Sequence, residues 1–239
     1  MSNTTAGLNL LIADKADPER DALANAFVQG GGAVHRLGRF WDPPALDARS
    51  VRVYGADSFC LVLQQKLGFA LCSPADDLLL HVPVRFLRRR LKKGPLGDAA
   101  ALQFPAFIKP LTPKQFRGAV YRSAQELAEE CRGLPPETEV FVSDVVQITA
   151  EVRSFVLDSR VLDASAYEGN PDLSDAISFT SEVVRGMALP RTVVIDVGFI
   201  AKEGWAVIEF NASWGAGLNG CDPAKILPAI LAASGGLAV

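Results

Sequence analysis

At 239 residues and 49% hydrophobic content the chain is long and apolar enough to bury one large or two small cores. A formal net charge of -3 and a pI near 5.5 supply no global pull toward nucleic acid or an anionic membrane, and neither is expected as a partner. Cys60, Cys72, Cys131 and Cys221 lack C-x-x-C spacing and read as reduced thiols of a cytoplasmic protein, while two histidines, His35 and His81, leave little room for a histidine base or a histidine-rich metal site.

The N-terminal residues lack the basic segment and apolar run of a signal peptide, and no stretch approaches the ~18 apolar residues of a membrane span. Residues 8–13 form a short apolar strand, and Asp17-Pro18 sets an N-cap before a proline at the first helical position. That helix runs to about Gln29, burying Leu23, Ala26 and Phe27, and the glycines at 30–32 end it. Residues 33–37 and 51–54 read as strands, 56–67 as a helix and 69–72 as a last strand. Alternation in this order predicts a small parallel α/β unit over residues 1–74.

Ser73-Pro74 marks a boundary, and residues 76–91 are predicted helical despite Pro83. The run Arg85, Arg88, Arg89, Arg90, Lys92, Lys93 reads as a solvated face or as a patch near an anionic ligand; it is too short and too poor in aromatics for nucleic acid. Residues 92–97 read as a flexible crossing into FPAFIKP at 104–110, a strand with Lys109 on the face of Phe107, and Lys114 and Arg117 follow in a loop. Residues 120–122 resume strand, and Ser123-Ala-Gln-Glu126 is a capping box for a helix ending near Gly133.

VFVSDVV at 140–146 is a strand whose only polar residues are Ser143 and Asp144. EVRSFVL at 151–157 pairs with 160–164 across Asp158-Ser159, and 172–187 is an amphipathic helix with Ala176, Phe179, Val183 and Met187 on one side. Antiparallel strands with intervening helices make residues 75–239 an α+β arrangement. A final helix starts at Asp222-Pro223 and runs through Ala232, interrupted by Pro228.

Between these lies TVVIDVGFIAKEGWAVIEFN, two apolar strands joined by a turn at 201–204. Trp205, Val207, Glu209 and Asn211 share a face, with Glu209 and Asn211 about 7 Å apart along the strand. A two-residue loop at Lys202-Glu203 sets Asp196 opposite Glu209; one at Glu203-Gly204 sets it opposite Asn211; a three-residue loop breaks the parity. Two carboxylates and an amide crowded among apolar residues suit a hard cation such as magnesium. The competing reading makes Asp196 a turn residue and points Glu209 at solvent.

Gly215-Ala-Gly-Leu-Asn-Gly220 satisfies G-x-G-x-x-G, but no βαβ unit and no acidic residue about 20 positions on follow it, so a dinucleotide site is rejected. The glycines are expected to let backbone amides approach an anionic group.

FPAFIKP, VFVSDVV, EVRSFV, IDVGF and VIEFNASWGAGLNG, in this order, resemble the landmarks of the ATP-grasp superfamily. YGADSF, VYRSAQEL, GWAV and GCDP are similar to a small bacterial and phage branch of it. The resemblance implies a two-lobed ATP-grasp domain over 75–239, preceded by a pre-ATP-grasp α/β domain over 1–74. It implies that Lys109 contacts nucleotide phosphates, Lys114 lies in the phosphate-covering loop, and Ser143, Asp144, Val145 and Val146 form the adenine-holding hinge, where the family often has a glutamate. Glu151 falls near ribose, Arg153 near the acyl phosphate, and Asp196, Glu209 and Asn211 on magnesium. The implied activity is an ATP-dependent carboxylate–amine ligase using ATP and Mg²⁺ on small-molecule acids and amines, amino acids or peptides among them, with a homodimer as the assembly considered. A nucleotide-binding module without ligase activity and a small-molecule phosphotransferase are the alternatives.

Overall fold

A computed structural model describes residues 4–99 and 101–237 of the chain. It opens with β1 (Asn9–Ala13), α1 (Pro18–Gln29), β2 (Ala33–Leu37), β3 (Val51–Tyr54), α2 (Asp57–Leu67) and β4 (Phe69–Leu71). A 3₁₀ turn at Leu78–His81 leads to α3 (Val84–Leu87), β5 (Leu91–Pro95), α4 (Leu96–Ala99), β6 (Ala106–Pro110), β7 (Ala119–Tyr121), α5 (Ala124–Glu130) and β8 (Glu139–Ser143). The remainder holds β9 (Ile148–Leu157), β10 (Arg160–Glu168), α6 (Leu173–Gly186), β11 (Thr192–Ile200), β12 (Gly204–Asn211), α7 (Pro223–Ala232) and β13 (Ser234–Leu237).

The chain forms two compact units. The first takes residues 1–74, 150–197 and 209–239; the second takes 75–149 and 198–208. The first segment thus ends at Pro74, and the C-terminal segments fold with it into one unit. The reason is visible in the core: Leu10, Ile12, Leu23 and Phe27 of the first segment pack in one cluster with Phe155, Val194, Ile226 and Ile230. Four short strands and two helices cover too little apolar surface to close a core alone.

In the first unit β2-β1-β3 is parallel, with Asn9 paired to both Ala33 and Val51. Helix α1 starts where expected, because the Asp17 side chain accepts from Arg20 N at 2.9 Å and Pro18 needs no donor there. Strand β4 departs from the expected parallel unit and pairs antiparallel with β13, Ser234 against Leu71. Ser-Gly-Gly at its start gives β13 no strand propensity, so nothing in the sequence marks it.

The second unit contains the antiparallel sheet β5-β8-β6-β7 over a core of Ile108, Tyr121, Leu127 and Val140. The helix expected over 76–91 does not form. Pro83 lacks a donor and clashes with a preceding turn, leaving the 3₁₀ turn before it and the four-residue α3 after it, which Arg88 ends at φ 50°. The expected crossing over 92–97 is instead β5, paired with β8 from Leu91↔Ser143 to Pro95↔Glu139, and Pro95 is tolerated because β5 has a neighbour on one side only. Strand β8 stops at Ser143, so residues 144–146 follow it as irregular chain.

A second four-stranded sheet, β10-β9-β11-β12, supplies the strands of the predicted site, and β9, β11 and β12 each contribute residues to both units.

Candidate functional site

Strand β11 is buried nearly throughout, and Asp196, 3% exposed, lies between Ile195 and Val197 at 0%. A carboxylate there requires compensation. It comes from β9: Arg153 donates from Nε to Asp196 Oδ1 at 2.8 Å and from Nη2 to Oδ2 at 2.7 Å, a two-pronged pair. A third donor, Nη1, reaches the Gly217 carbonyl at 3.0 Å. Burial works against the guanidinium charge, but the Asp196 hydrogen bonds and charge, with the charge of Glu209, outweigh it and raise its pKa.

The ring of Tyr167 lies 5.7 Å from the Arg153 guanidinium carbon. Tyr167 sits at a register irregularity in β10 between Ala166, paired with Val152, and Glu168, paired with Glu151. Such a bulge re-aims a side chain. Burial first, then the Asp196 charge and a hydrogen bond with Glu151, push the Tyr167 phenol pKa well up. Glu151, Arg153, Tyr167 and Asp196 therefore form one coupled group.

The turn between β11 and β12 has three residues, Ala201–Glu203, with Lys202 at φ 70° and Gly204 at φ 90°. On strict alternation this loop separates Asp196 from Asn211. Asn211 Nδ2 nonetheless donates to Asp196 Oδ2 at 3.1 Å. A three-residue loop is commonly closed by a left-handed residue forming a bulge, which shifts the alternation by one, and Gly204 has that conformation. Asp196, with Asn211 bonded to it, and the charge of Glu209 thus act on Arg153.

The amides of the glycine-bearing loop meet an anionic group, as expected, but it is one supplied by the chain itself. Leu218 N and Asn219 N donate to Glu19 Oε2 and Oε1 at 2.8 and 2.7 Å. The Tyr54 hydroxyl donates to the Ala216 carbonyl at 2.9 Å. Glu19 and Tyr167 were missed by sequence reasoning. Tyr167 had a faint signal, standing one strand from Arg153, but Glu19 reads only as an acidic residue suited to a helix first turn.

In the second unit Lys109 pairs with Phe141 across β6 and β8, its Nζ 5.7 Å from that ring. Gly118 lets the chain lie against it, since a Cβ there would come within 2.8 Å of Lys109 Cβ. Lys114 adopts φ 69° in the loop after β6. Ser143 is buried and paired with Phe107, whereas Val145 is exposed. Asp144 is turned to Arg90, accepting from its backbone N at 2.9 Å and from its Nη2 at 2.9 Å, and the Arg90 side chain holds the Asp144 carboxyl below the usual range.

Most of the basic block is solvent-exposed, as the first of its two readings expects, but Arg88, Arg89 and Lys93 also make specific contacts. Arg88 Nε donates to Trp205 O at 2.8 Å, Arg89 Nη1 donates to Leu87 O at 2.9 Å and Val207 O at 2.8 Å, and Lys93 pairs with Glu139 at 2.8 Å. Burial lowers the Arg89 pKa.

Among the described residues no group of three or more His, Cys, Asp or Glu is placed to hold a metal, so the candidate donors are the mixed carboxylate–amide set already described. No helix among them is long and apolar enough to cross a membrane.

A family model for an ATP-grasp domain, the second family of its clade, matches residues 86–229. No curated protein matches the sequence significantly. Among solved structures, a RimK domain protein ATP-grasp from Sphaerobacter thermophilus DSM 20745 is similar at a TM-score of 0.66 and 16% identity, over 94% of this chain and 99% of that one. The ATP-grasp ligase PsnB complexed with minimal precursor gives 0.56 and 15%, over 95% and 99%. D-alanine–D-alanine ligase from Bacillus anthracis gives 0.55 and 9%, over 95% and 97%. At these identities the likeness is one of fold.

Proposed function

Because this chain belongs to the ATP-grasp family, we propose that it is an ATP-dependent ligase joining a carboxylate to an amine, with release of ADP and phosphate. The observation that carries the reading is the Arg153–Asp196–Asn211 cluster built on the buried Asp196, with Glu209 acting on Arg153 electrostatically. A core strand does not keep such a group for packing, since a buried ion pair is weak support for stability.

In the first half-reaction a substrate carboxylate oxygen attacks the γ-phosphorus of ATP, the bond to ADP breaks, and an acyl phosphate forms. In the second the amine nitrogen attacks the carbonyl carbon, the bond to phosphate breaks, and the amide forms as phosphate and a proton leave. Such chemistry depends on positioned cations more than on a protein base. Three of the five guanidinium N–H donors of Arg153 are engaged with Asp196 and Gly217, leaving two for the acyl phosphate and then for the tetrahedral oxyanion. Lys109 is assigned to the nucleotide phosphates, Lys114 to the loop over them, Glu151 to ribose, and the backbone of Ser143 to Val146 to adenine. The Asp144 side chain is turned to Arg90 and would not itself reach the base.

The donor chemistry fits magnesium. Asp196 Oδ2 takes two hydrogen bonds and Oδ1 one, so a lone pair remains on Oδ1, and the Asn211 oxygen and Glu209 carboxylate complete a hard-oxygen set. Bound there, Mg²⁺ would neutralise charge on the triphosphate. The substrates expected are small acids and amines, amino acids or peptides among them.

The test is thermal melting with and without ATP and Mg²⁺, beside Glu209→Gln. At ligand about 100-fold above Kd the native protein gains ~2.7 kcal/mol, about 5–11 °C in a chain of this size. A Mg²⁺-dependent shift weakened in the variant supports the site and leads to screening acid and amine pools for ADP release. No shift with either protein overturns the reading. ADP release that an added amine leaves unchanged in product would mark a phosphotransferase.

A further inference from the structure

Arg153 is held by two anchors of different kinds. Asp196 is a side chain on a buried strand, but the Gly217 carbonyl belongs to a loop of small residues that holds its direction only if something else fixes it. Asn219 at φ 47° and Gly220 at φ 86° follow directly, so the loop backbone is turned through the left-handed region just after the anchor.

The fixing group comes from helix α1. Both oxygens of the Glu19 carboxylate accept from consecutive loop amides, Oε2 from Leu218 N at 2.8 Å and Oε1 from Asn219 N at 2.7 Å. The peptide carrying Leu218 N is the one whose carbonyl, Gly217 O, accepts from Arg153 Nη1 at 3.0 Å. One planar peptide is therefore gripped by Glu19 at its N–H and by Arg153 at its C=O, and turning one turns the other. Gly217 leaves room for this grip: a Cβ there would lie 3.1 Å from Glu19 Oε2 and 3.7 Å from Arg153 Nη1.

We infer that Glu19 is a positioning residue for Arg153, acting through the Gly217–Leu218 peptide to set the plane of the guanidinium. Glu19 lies outside residues 86–229 that the family model matches, so the N-terminal segment contributes to the site rather than merely preceding it. The loop amides expected to face an anionic ligand are satisfied from within the chain. The consequence for turnover rests on the ligase reading of Arg153; the geometric claim does not.

The experiment reads that geometry without nucleotide or substrate. In ¹⁵N-labelled protein the Arg153 Nε–H, bonded to Asp196, is identified as the arginine side-chain resonance lost in Arg153→Lys. Its shift and exchange rate are compared in native protein, Glu19→Ala and the isosteric Glu19→Gln, together with amide exchange at Leu218 and Asn219. In Glu19→Ala the two amides should exchange at least about 10-fold faster, the factor expected from losing a hydrogen bond to a charged group, and the Arg153 resonance should shift or broaden. Glu19→Gln, with one acceptor oxygen, should show a smaller change of the same kind, and it decides the matter if Glu19→Ala does not fold. Faster amide exchange with an unmoved Arg153 resonance would make Glu19 a staple of the loop only and overturn the inference, as would no change in either. A melting shift with ATP and Mg²⁺ in native protein, measured separately, distinguishes failure of this inference from failure of the nucleotide site.

Discussion

Asp196→Asn isolates the energetics of the site. The Asp196 side chain is 4% exposed and that of Arg153 13%. The substitution removes the negative charge and one of two acceptor oxygens, points an NH₂ at a guanidinium donor, and weakens the acceptor of Asn211 Nδ2. Breaking a buried ion pair from one side costs about 3–5 kcal/mol because the surviving charge stays buried. Arg153 keeps the Gly217 carbonyl and the field of Glu209, which places the loss near the lower end. At ~2–4 °C per kcal/mol, a loss of ~3 kcal/mol lowers Tm by about 6–12 °C. Circular dichroism melts without ligand measure this. Arg153→Met should destabilise similarly, and the double variant should recover part of the sum, with a coupling of about 1–3 kcal/mol. A single variant melting within ~2 °C of native protein, or strictly additive losses, would refute a tight buried pair.

Alkaline stability follows from raised thiols and phenols, Cys221 and Tyr121 among them. Burial pushes both the Cys221 thiol and the Tyr121 phenol up to about 12. Because the folded values exceed the unfolded ones, the stability is intact below about pH 9 and is lost as pH climbs toward 12, which urea titrations at pH 8, 10 and 11 would record. Cys72 is partly exposed whereas Cys60, Cys131 and Cys221 are buried, so a thiol reagent should label Cys72 quickly and the others only on unfolding, as mass spectrometry would show. Gly32→Ala drives a Cβ into the fully buried Phe27 ring and should cost about 1–3 kcal/mol, while Gly94→Ala, with nothing within 4 Å, should leave the urea midpoint unchanged.

What the sequence disclosed and what it withheld divide along physical lines. Local signals sufficed where one residue's chemistry decides the structure: Asp17-Pro18 at the start of α1, the capping box at Ser123, the β-branched run around Asp196. They failed at 76–97, where the helical reading overrode Pro83 and a Gly-Pro pair concealed a strand whose pairing with β8 is long-range. The strand β13 has no local signal at all. At the site, Asp196 and Asn211 met as expected although the loop has the length that breaks alternation, because Gly204 supplies a left-handed residue that parity counting omits. Glu19 was out of reach, since its partners are two backbone amides some 200 positions away.

The contacts made by Arg88 and Arg89 bear on how the molecule keeps to itself. Strand β12 is the outermost of its sheet, and its carbonyls at Trp205 and Val207, two residues apart, point the same way. A bare outer strand is a template onto which another chain can add by backbone pairing. Two guanidinium groups occupy the acceptors such a chain would need, and their charge repels a second copy carrying the same pair. Those two side chains thereby close part of one sheet margin to backbone pairing, in a chain whose net charge of -3 supplies little repulsion of its own.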